Sequence, residues 1–186
     1  MKKQDIAATI KGLSPIMFDR FYDQSKTERA PRDKLYLSEN MIVLPSANLW
    51  AFFTCQRTGC AKMFEGKPWM DYYRSCQSFL RIQEADILPL FDDKDKPIEF
   101  DDFEKKTYVY IANVLVGSGQ KKSRMTIARP VVRMPWHLKF NMILFENKLI
   151  TVKKLEEWLR IGGTLVALGN GRPRFGRFEL NEWEVK

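Results

Sequence analysis

Apolar and polar residues alternate at the start of the chain: Ile6, Ala8 and Ile10 fall on one side, Ala7, Thr9 and Lys11 on the other. A period of two sends successive side chains to opposite faces, so residues 4–11 are predicted as a first strand. Gly12 and Pro15 end it. Residues 19–34 are polar and without period, and are predicted as a loop. Leu35 to Leu44 predicts a short strand pair around Ser38-Glu39-Asn40. Pro45-Ser46 then opens a helix with Ser46 as its N-cap. Ala47, Leu49, Trp50, Phe52 and Phe53 carry it on until Gly59 interrupts. A second helical segment, Trp69 to Leu80, puts Tyr72, Tyr73, Cys76, Phe79 and Leu80 near one face.

Residues 81–90 are predicted as a strand and the acidic residues 91–104 as a loop. Thr107 to Val116, rich in β-branched and aromatic residues, is a strand. Gly117 to Ser123 is a basic loop, and Met125 to Val132 a further strand. The clearest alternation spans residues 136–145: Trp136, Leu138, Phe140, Met142 and Leu144 face one way, and His137, Lys139 and Asn141 the other. One face should pack on helices while the other meets a ligand. Thr151 caps a helix bearing Lys154, Leu155, Trp158 and Leu159 in helical spacing, and Gly162-Gly163 ends it. Phe178, Leu180 and Trp183 lead the last strand. Stripped of insertions, the order is strand, helix, strand, strand, helix, strand. That is a βαββαβ, ferredoxin-like α+β core, shared by modules that bind RNA on an open sheet. The expectation is one domain over residues 1–186, with insertions at about 19–44 and 91–106.

Charge adds a partner to this picture. The net charge is +8, which favours an anionic partner. Its distribution is uneven. From Glu84 to Glu104 nine acids face only Lys94 and Lys96. Between Lys105 and Phe145 there is no acid at all, only Lys105, Lys106, Lys121, Lys122, Arg124, Arg129, Arg133 and Lys139. A long acid-free basic tract in a folded region points to a polyanion more specifically than total charge does. The bland alternative is a solvated face, or one paired to the acidic segment of a neighbouring copy. Three cysteines, an odd number, argue for a reducing compartment. The N-terminal MKKQDIAATIKG lacks a long apolar region, and no apolar run reaches membrane-spanning length, so a cytoplasmic protein without a membrane partner is expected.

The run Gly169-Asn170-Gly171-Arg172-Pro173-Arg174-Phe175-Gly176-Arg177-Phe178 combines glycines, arginines and flat rings. Glycine lets a backbone approach a ligand, arginine offers a planar fork for phosphate, and phenylalanine offers a stacking face. Such a loop is either a cradle for a sugar–phosphate chain or a tight turn with its arginines in water.

Three segments in order resemble a known family: Lys11-Gly12-Leu13-Ser14-Pro15-Ile16-Met17, Leu44-Pro45-Ser46-Ala47-Asn48-Leu49-Trp50-Ala51, and Leu168 to Phe178. They are similar to landmarks of the RAMP superfamily, which supplies backbone subunits of CRISPR effector complexes. Both ends of the chain, in IKGLSPIMFDRF and RPRFGRFEL, also resemble uncharacterised phage and prophage proteins. The RAMP resemblance implies a ferredoxin-like fold that binds single-stranded RNA along its backbone and often polymerises along it. It implies that Ser46 and Asn48 meet phosphate at a helix N-terminus, where free N–H groups favour an anion. It implies that Gly169, Asn170, Gly171, Arg172, Arg174, Phe175 and Arg177 form the glycine-rich loop. The chain departs from the pattern with Ser-Ala-Asn at 46–48 and Arg-Phe-Gly at 174–176. A phage relative could instead bind single-stranded DNA, or serve assembly.

Other candidate chemistry is thinner. His137 is the only histidine and a candidate general base toward a ribose 2′-hydroxyl; otherwise it is a strand residue facing RNA or water. Cys55, Cys60 and Cys76 have no histidine nearby, which argues against zinc. Asp19, Asp23 and Asp33 lie in the loop after the first strand, where some RAMP subunits carry a cleaving aspartate, and none can be matched to it. Gly117-Ser118-Gly119-Gln120-Lys121-Lys122 lacks the Gly-Lys-Ser/Thr ending of a P-loop. The aromatic residues Trp50, Phe52, Phe53, Trp69, Tyr72 and Tyr73 suit core or interface. The sequence therefore predicts a non-catalytic, cofactor-free, sequence-independent binder of single-stranded nucleic acid, RNA preferred. It is expected as a homo-oligomer or a ribonucleoprotein subunit. The expected contacts are Ser46, Asn48, Lys121, Lys122, Arg124, Arg129, Arg133, His137, Lys139 and the glycine-rich loop. The alternatives are a ribonuclease using His137, a single-stranded DNA-binding protein and a structural phage protein.

Overall fold

Strand β1 (Lys3–Gly12) buries Ile6, Ala8 and Ile10 and turns Lys11 to solvent, as its alternation predicts. The computed structural model describes residues 2–20, 30–83, 86–116 and 123–186. A short strand β2 (Ile16–Met17), not foreseen in the sequence, follows the Gly12 to Pro15 bend. Strands β3 (Leu37–Ser38) and β4 (Met41–Pro45) form the expected hairpin, with Glu39 at its turn in the left-handed region (φ 53°). Three helices come next: α1 (Ser46–Thr54), α2 (Cys60–Phe64) and α3 (Trp69–Phe79). Strands β5 (Leu80–Ile82) and β6 (Ile87–Pro89) lead into the acidic segment, which closes on a short helix α4 (Phe103–Lys106). The rest is β7 (Thr107–Val116), β8 (Ser123–Val132), β9 (His137–Phe145), α5 (Val152–Leu165) and β10 (Phe178–Val185).

The chain is a mixed α/β protein with antiparallel sheets. The largest has four strands in the order β10-β1-β9-β5. β1 sits in its middle and pairs antiparallel with both β9 and β10; β5 pairs antiparallel with β9. Ile6 lies opposite Met142, Ala8 opposite Phe140 and Ile10 opposite Leu138, so both strands present their apolar sides to one face. That face packs with Leu49, Phe52 and Phe53 of α1, Cys76 of α3 and Leu155, Trp158 and Leu159 of α5 in one core. The opposite face carries Thr9, Lys11, His137, Lys139 and Asn141. Two three-stranded sheets, β2-β8-β7 and β3-β4-β6, flank it.

Three local expectations are corrected. Residues 81–90 are not one strand: β5 joins the four-stranded sheet and β6 joins β4 in another. Leu80, Leu88 and Leu90 are all buried, but exposed Asp86 falls between them, where the chain passes from one sheet to the other. Ser46 is not the N-cap but the first helical residue, because β4 runs straight into Pro45, which takes the cap position. Gly162 and Gly163 do not end α5, which continues to Leu165; Ala167, in the left-handed region (φ 61°), follows it instead. The two glycines serve close packing. A Cβ on Gly162 would lie 2.7 Å from Cys60 Sγ, and one on Gly163 would lie 2.9 Å from the Phe178 ring and nearer still to its carbonyl oxygen. Thr151 caps α5 as predicted, its side chain accepting from Lys154 N–H at 3.2 Å.

In an exposed helix interior, Gly→Ala would gain roughly 1 kcal/mol from helix propensity. Gly163→Ala is expected to do the reverse and lower stability by about 1–3 kcal/mol, because the new methyl meets backbone. Urea unfolding of the two proteins reads the sign directly; an equal or higher midpoint for the variant would contradict the close packing of α5 on β10.

Candidate nucleic-acid interface

The segment after β1 and the glycine-rich loop are distant in sequence and hydrogen-bonded in space. Leu13 and Ser14 N–H donate to the Arg177 carbonyl at 2.7 and 3.3 Å, and Gly176 N–H donates to the Pro15 carbonyl at 2.8 Å. Asn170 N–H donates to the Met17 carbonyl at 2.8 Å. The Ser14 hydroxyl accepts from Arg177 N–H at 2.9 Å, while its carbonyl accepts from the buried Trp136 indole at 2.8 Å. Asn48 of α1 comes to the same place. With Met17, Phe18, Asp19, Tyr36, Gly169 and Asn170 it lines a cleft of about 150 Å³. The three landmark segments therefore converge.

The loop's glycines are accounted for by this packing. Gly169 has φ +72°, and a Cβ there would lie 2.7 Å from the Met17 carbonyl oxygen. Gly176 has φ +73° and leaves no room for a Cβ against the Leu168 carbonyl. Both take the left-handed region that glycine adopts without penalty. What approaches them closely is the protein's own backbone.

The loop's side chains meet the β7–β8 ribbon. Phe175 packs on Met17 and Val131, with Tyr108 and Tyr110 against the same cluster. Arg174 lies over the Tyr110 ring (5.3 Å) and donates to its hydroxyl at 3.0 Å. Arg133 lies over the Tyr108 ring (5.0 Å) and donates through Nε to the Thr107 carbonyl at 3.1 Å. Arg129, cross-strand partner of Tyr110, is paired with Asp19 at 2.7 Å, both side chains mostly covered. Tyr108 and Tyr110 alternate along one strand, so they share a face and stand about 7 Å apart, twice the strand rise. Two guanidiniums are thus held over two rings on one surface, beside the Asn48 cleft. Each has five N–H donors and spends one of its nitrogens on the protein, which leaves the others for phosphate.

The other predicted residues scatter more widely. Arg172 donates to the Thr58 hydroxyl at 3.5 Å, at the α1–α2 junction. Arg177 contributes backbone bonds and leaves its side chain exposed. Ser46 is buried at the start of α1, its N–H donating to the Asp86 carbonyl at 3.0 Å. Arg124 lies exposed farther along β8, opposite Leu115. Lys121 and Lys122 lie outside the described residues, as does Asp23. Asp33 sits in a short 3₁₀ turn, Pro31–Lys34. His137 and Lys139 lie on the outer face of the four-stranded sheet. There Asp95 bonds both: Oδ1 at 2.8 Å from His137 Nε2 and Oδ2 at 2.7 Å from Lys139 Nζ. Those two bonds, from Lys139 first and His137 second, hold the Asp95 carboxyl below the usual range.

Acidic and basic segments therefore meet within one chain. Lys105, Lys106, Arg129 and Lys139 pair with Asp102, Asp92, Asp19 and Asp95 respectively, four of the six cations of the acid-free tract that lie among the described residues. Sequence reading missed Tyr108, Tyr110, Asp95 and Phe91, which stacks on His137 at 5.4 Å. The two tyrosines were within reach, since strand periodicity alone puts them on one face. Among the described residues no group of three or more His, Cys, Asp or Glu is placed to hold a metal.

No family model matches the chain, and no curated protein matches it. Among solved structures it is similar to a chain in the cryo-EM structure of Type III-B Cmr-beta bound to cognate target RNA, with a TM-score of 0.51 and 10% identity. The match covers 99% of this chain and 61% of that one, so the chain spans about three fifths of its neighbour's length. At that identity the likeness is one of fold.

The Arg172 charge also acts on a thiol, that of Cys55. Burial pushes the Cys55 thiol up, but hydrogen bonds from the Thr58 hydroxyl and from the Arg57 and Thr58 N–H groups, with the Arg172 charge, outweigh it and bring it down to about 7. Burial pushes Cys76 up to about 12 and Cys60 well above the thiol range. Iodoacetamide labelling read by mass spectrometry is expected at Cys55, rising with pH through a midpoint near 7 as the thiolate forms, with Cys60 and Cys76 unlabelled in the folded protein. Thr58→Val should move the midpoint upward; a midpoint unmoved by that change would refute the hydrogen-bond account.

Proposed function

We propose that this chain is a non-catalytic, sequence-independent binder of single-stranded nucleic acid, RNA preferred, built on a ferredoxin-like core related to the RAMP superfamily. The observation that carries the reading is the convergence of the Ser14 to Met17 segment, Asn48 and the glycine-rich loop beside Arg133 and Arg174, each stacked on a tyrosine. The strand order β10-β1-β9-β5 supports the core assignment: counted along the core, it reads fourth, first, third, second, with helices on one face. Likeness in fold to a chain of a complex bound to target RNA supports the choice of ligand.

In this reading Arg133 and Arg174 neutralise phosphates from a common surface, and Arg172 and Arg177 add contacts beyond it. Asn48 and the loop backbone set the path of the strand. No base edge is read, so affinity comes from phosphate neutralisation and is sensitive to salt. The protein works in the cytoplasm as a subunit of a ribonucleoprotein or as copies lined along a strand.

Fluorescence anisotropy with a labelled uridine oligomer tests this. For about five phosphates contacted, log K should fall against log salt with a slope of roughly −3.5. Arg133→Ala with Arg174→Ala should flatten that slope by about 1.4 and weaken all sequences alike. A salt-independent affinity, or loss confined to one sequence, would overturn the proposal. The labelled strand should stay intact on incubation; cleavage abolished by His137→Ala with binding kept would establish the ribonuclease reading instead.

A further inference from the structure

The outer face of the four-stranded sheet holds a second cleft, of about 410 Å³, between the turn at 91–97 and strands β1 and β10. Lys11 and His137 are direct cross-strand partners there, and Lys139 stands two residues along on the same face. Lys11 makes no ion pair among the described residues. The carboxylate bridging His137 and Lys139 comes from outside the sheet. Asp95 sits in the left-handed region (φ 61°) of a turn that Asp92 holds by accepting from Lys94 and Lys96 N–H at 3.0 and 3.1 Å. Its side chain is 60% exposed, so it lies at the mouth and is open to replacement. His137 is buried to 9% exposure, stacked on Phe91 and fixed by reciprocal backbone bonds with it at 2.9 and 3.0 Å. The imidazole is fixed, the two lysines flank it on the same face, and the acid that bridges it to Lys139 is peripheral.

One anion with two oxygens across an imidazole and an ammonium is the arrangement in which the two free oxygens of a phosphodiester are held. We propose that Lys11, His137 and Lys139 form a seat for a phosphodiester of single-stranded nucleic acid, and that the Asp95 carboxylate is its resident substitute, displaced when the ligand binds. The rim selects for charge. Glu182, bonded by the Thr9 hydroxyl at 2.7 Å, and Asp93 line the same cleft, so a singly charged diester is favoured over a phosphate dianion. The ligand's identity rests on the nucleic-acid reading above; the seat itself does not. A strand held on the glycine-rich loop would meet it as a separate contact.

His137 is the only histidine, so the imidazole resonances of the intact protein report the seat without ambiguity. Uridylyl-uridine and inorganic phosphate are titrated separately into the wild type and Asp95→Asn at fixed pH and ionic strength; asparagine tolerates the positive φ. Removing the competitor should tighten dinucleotide binding, read at His137, by about tenfold or more. Lys139→Gln added to Asp95→Asn should abolish the shift, and inorganic phosphate should bind at least about tenfold more weakly than the dinucleotide. Asp95→Gly, which keeps the turn and removes the side chain, must reproduce the gain. An affinity unchanged in both Asp95 variants, or a shift that survives Lys139→Gln, overturns the seat. Equal response to inorganic phosphate overturns its assignment to a diester. These outcomes are separable from failure of the main site, which is read on a long strand through Arg133 and Arg174.

Discussion

Everything at the candidate interface depends on the backbone hydrogen bonds that join Leu13 to Met17 with Leu168 to Arg177. Neither segment is regular along its length. Leu168 and Phe175 N–H donate within their own segment and β2 pairs with β8, while Leu13, Ser14, Asn170 and Gly176 N–H are satisfied across the two segments, joined by the Trp136 indole and the Ser14 hydroxyl. Buried backbone polar groups left unpaired are costly, so the pairing fixes the loop's path closely. Gly169 and Gly176 follow from that path: the loop lies so near Met17 and Leu168 that a Cβ would not fit.

Once the loop is fixed, its side chains have little choice. Phe175 is driven into the small cluster with Met17 and Val131, and Arg174 beside it is carried onto Tyr110. Arg133 reaches Tyr108 from the end of the neighbouring strand. A long flexible cation in water loses rotamer freedom when it binds; one already stacked on a ring has lost much of it beforehand. All four of Arg124, Arg133, Arg174 and Arg177 are exposed, and the ring beneath Arg133 and Arg174 is what separates those two from the others.

The sequence carried the strands best where one face is wholly apolar. β1 and β9 fall where alternation puts them, β7 where its β-branched and aromatic run does, and the Thr151 cap is as read. It failed where pattern reports burial but not partner. Leu80 and Leu88 are both buried, but in strands of different sheets. Gly162-Gly163 looks like a helix stop because glycine serves both termination and close approach, and only the position of Phe178 decides between them. The loop run was visible as chemistry, but its glycines answer to Met17 and Leu168, which lie far away in sequence or across a turn. The Tyr108–Arg133 and Tyr110–Arg174 stacks were hidden because the partners come from separate segments.

Charge shows most clearly how composition and structure part ways. The acid-free tract reads as a continuous basic surface, yet four of its six described cations are answered by carboxylates of the same chain, three of them from residues 92–102. The acidic and basic runs are neighbours in sequence because they are neighbours in space: the segment folds back so that Asp92 meets Lys106 and Asp95 meets His137 and Lys139. Arg133 and the arginines of the glycine-rich loop stand outside these ion pairs. A strand approaching the molecule meets two unlike surfaces. One presents guanidiniums already ordered on rings. The other presents cations engaged by a carboxylate at the rim, where an incoming phosphate gains only the difference between its own contacts and those it replaces.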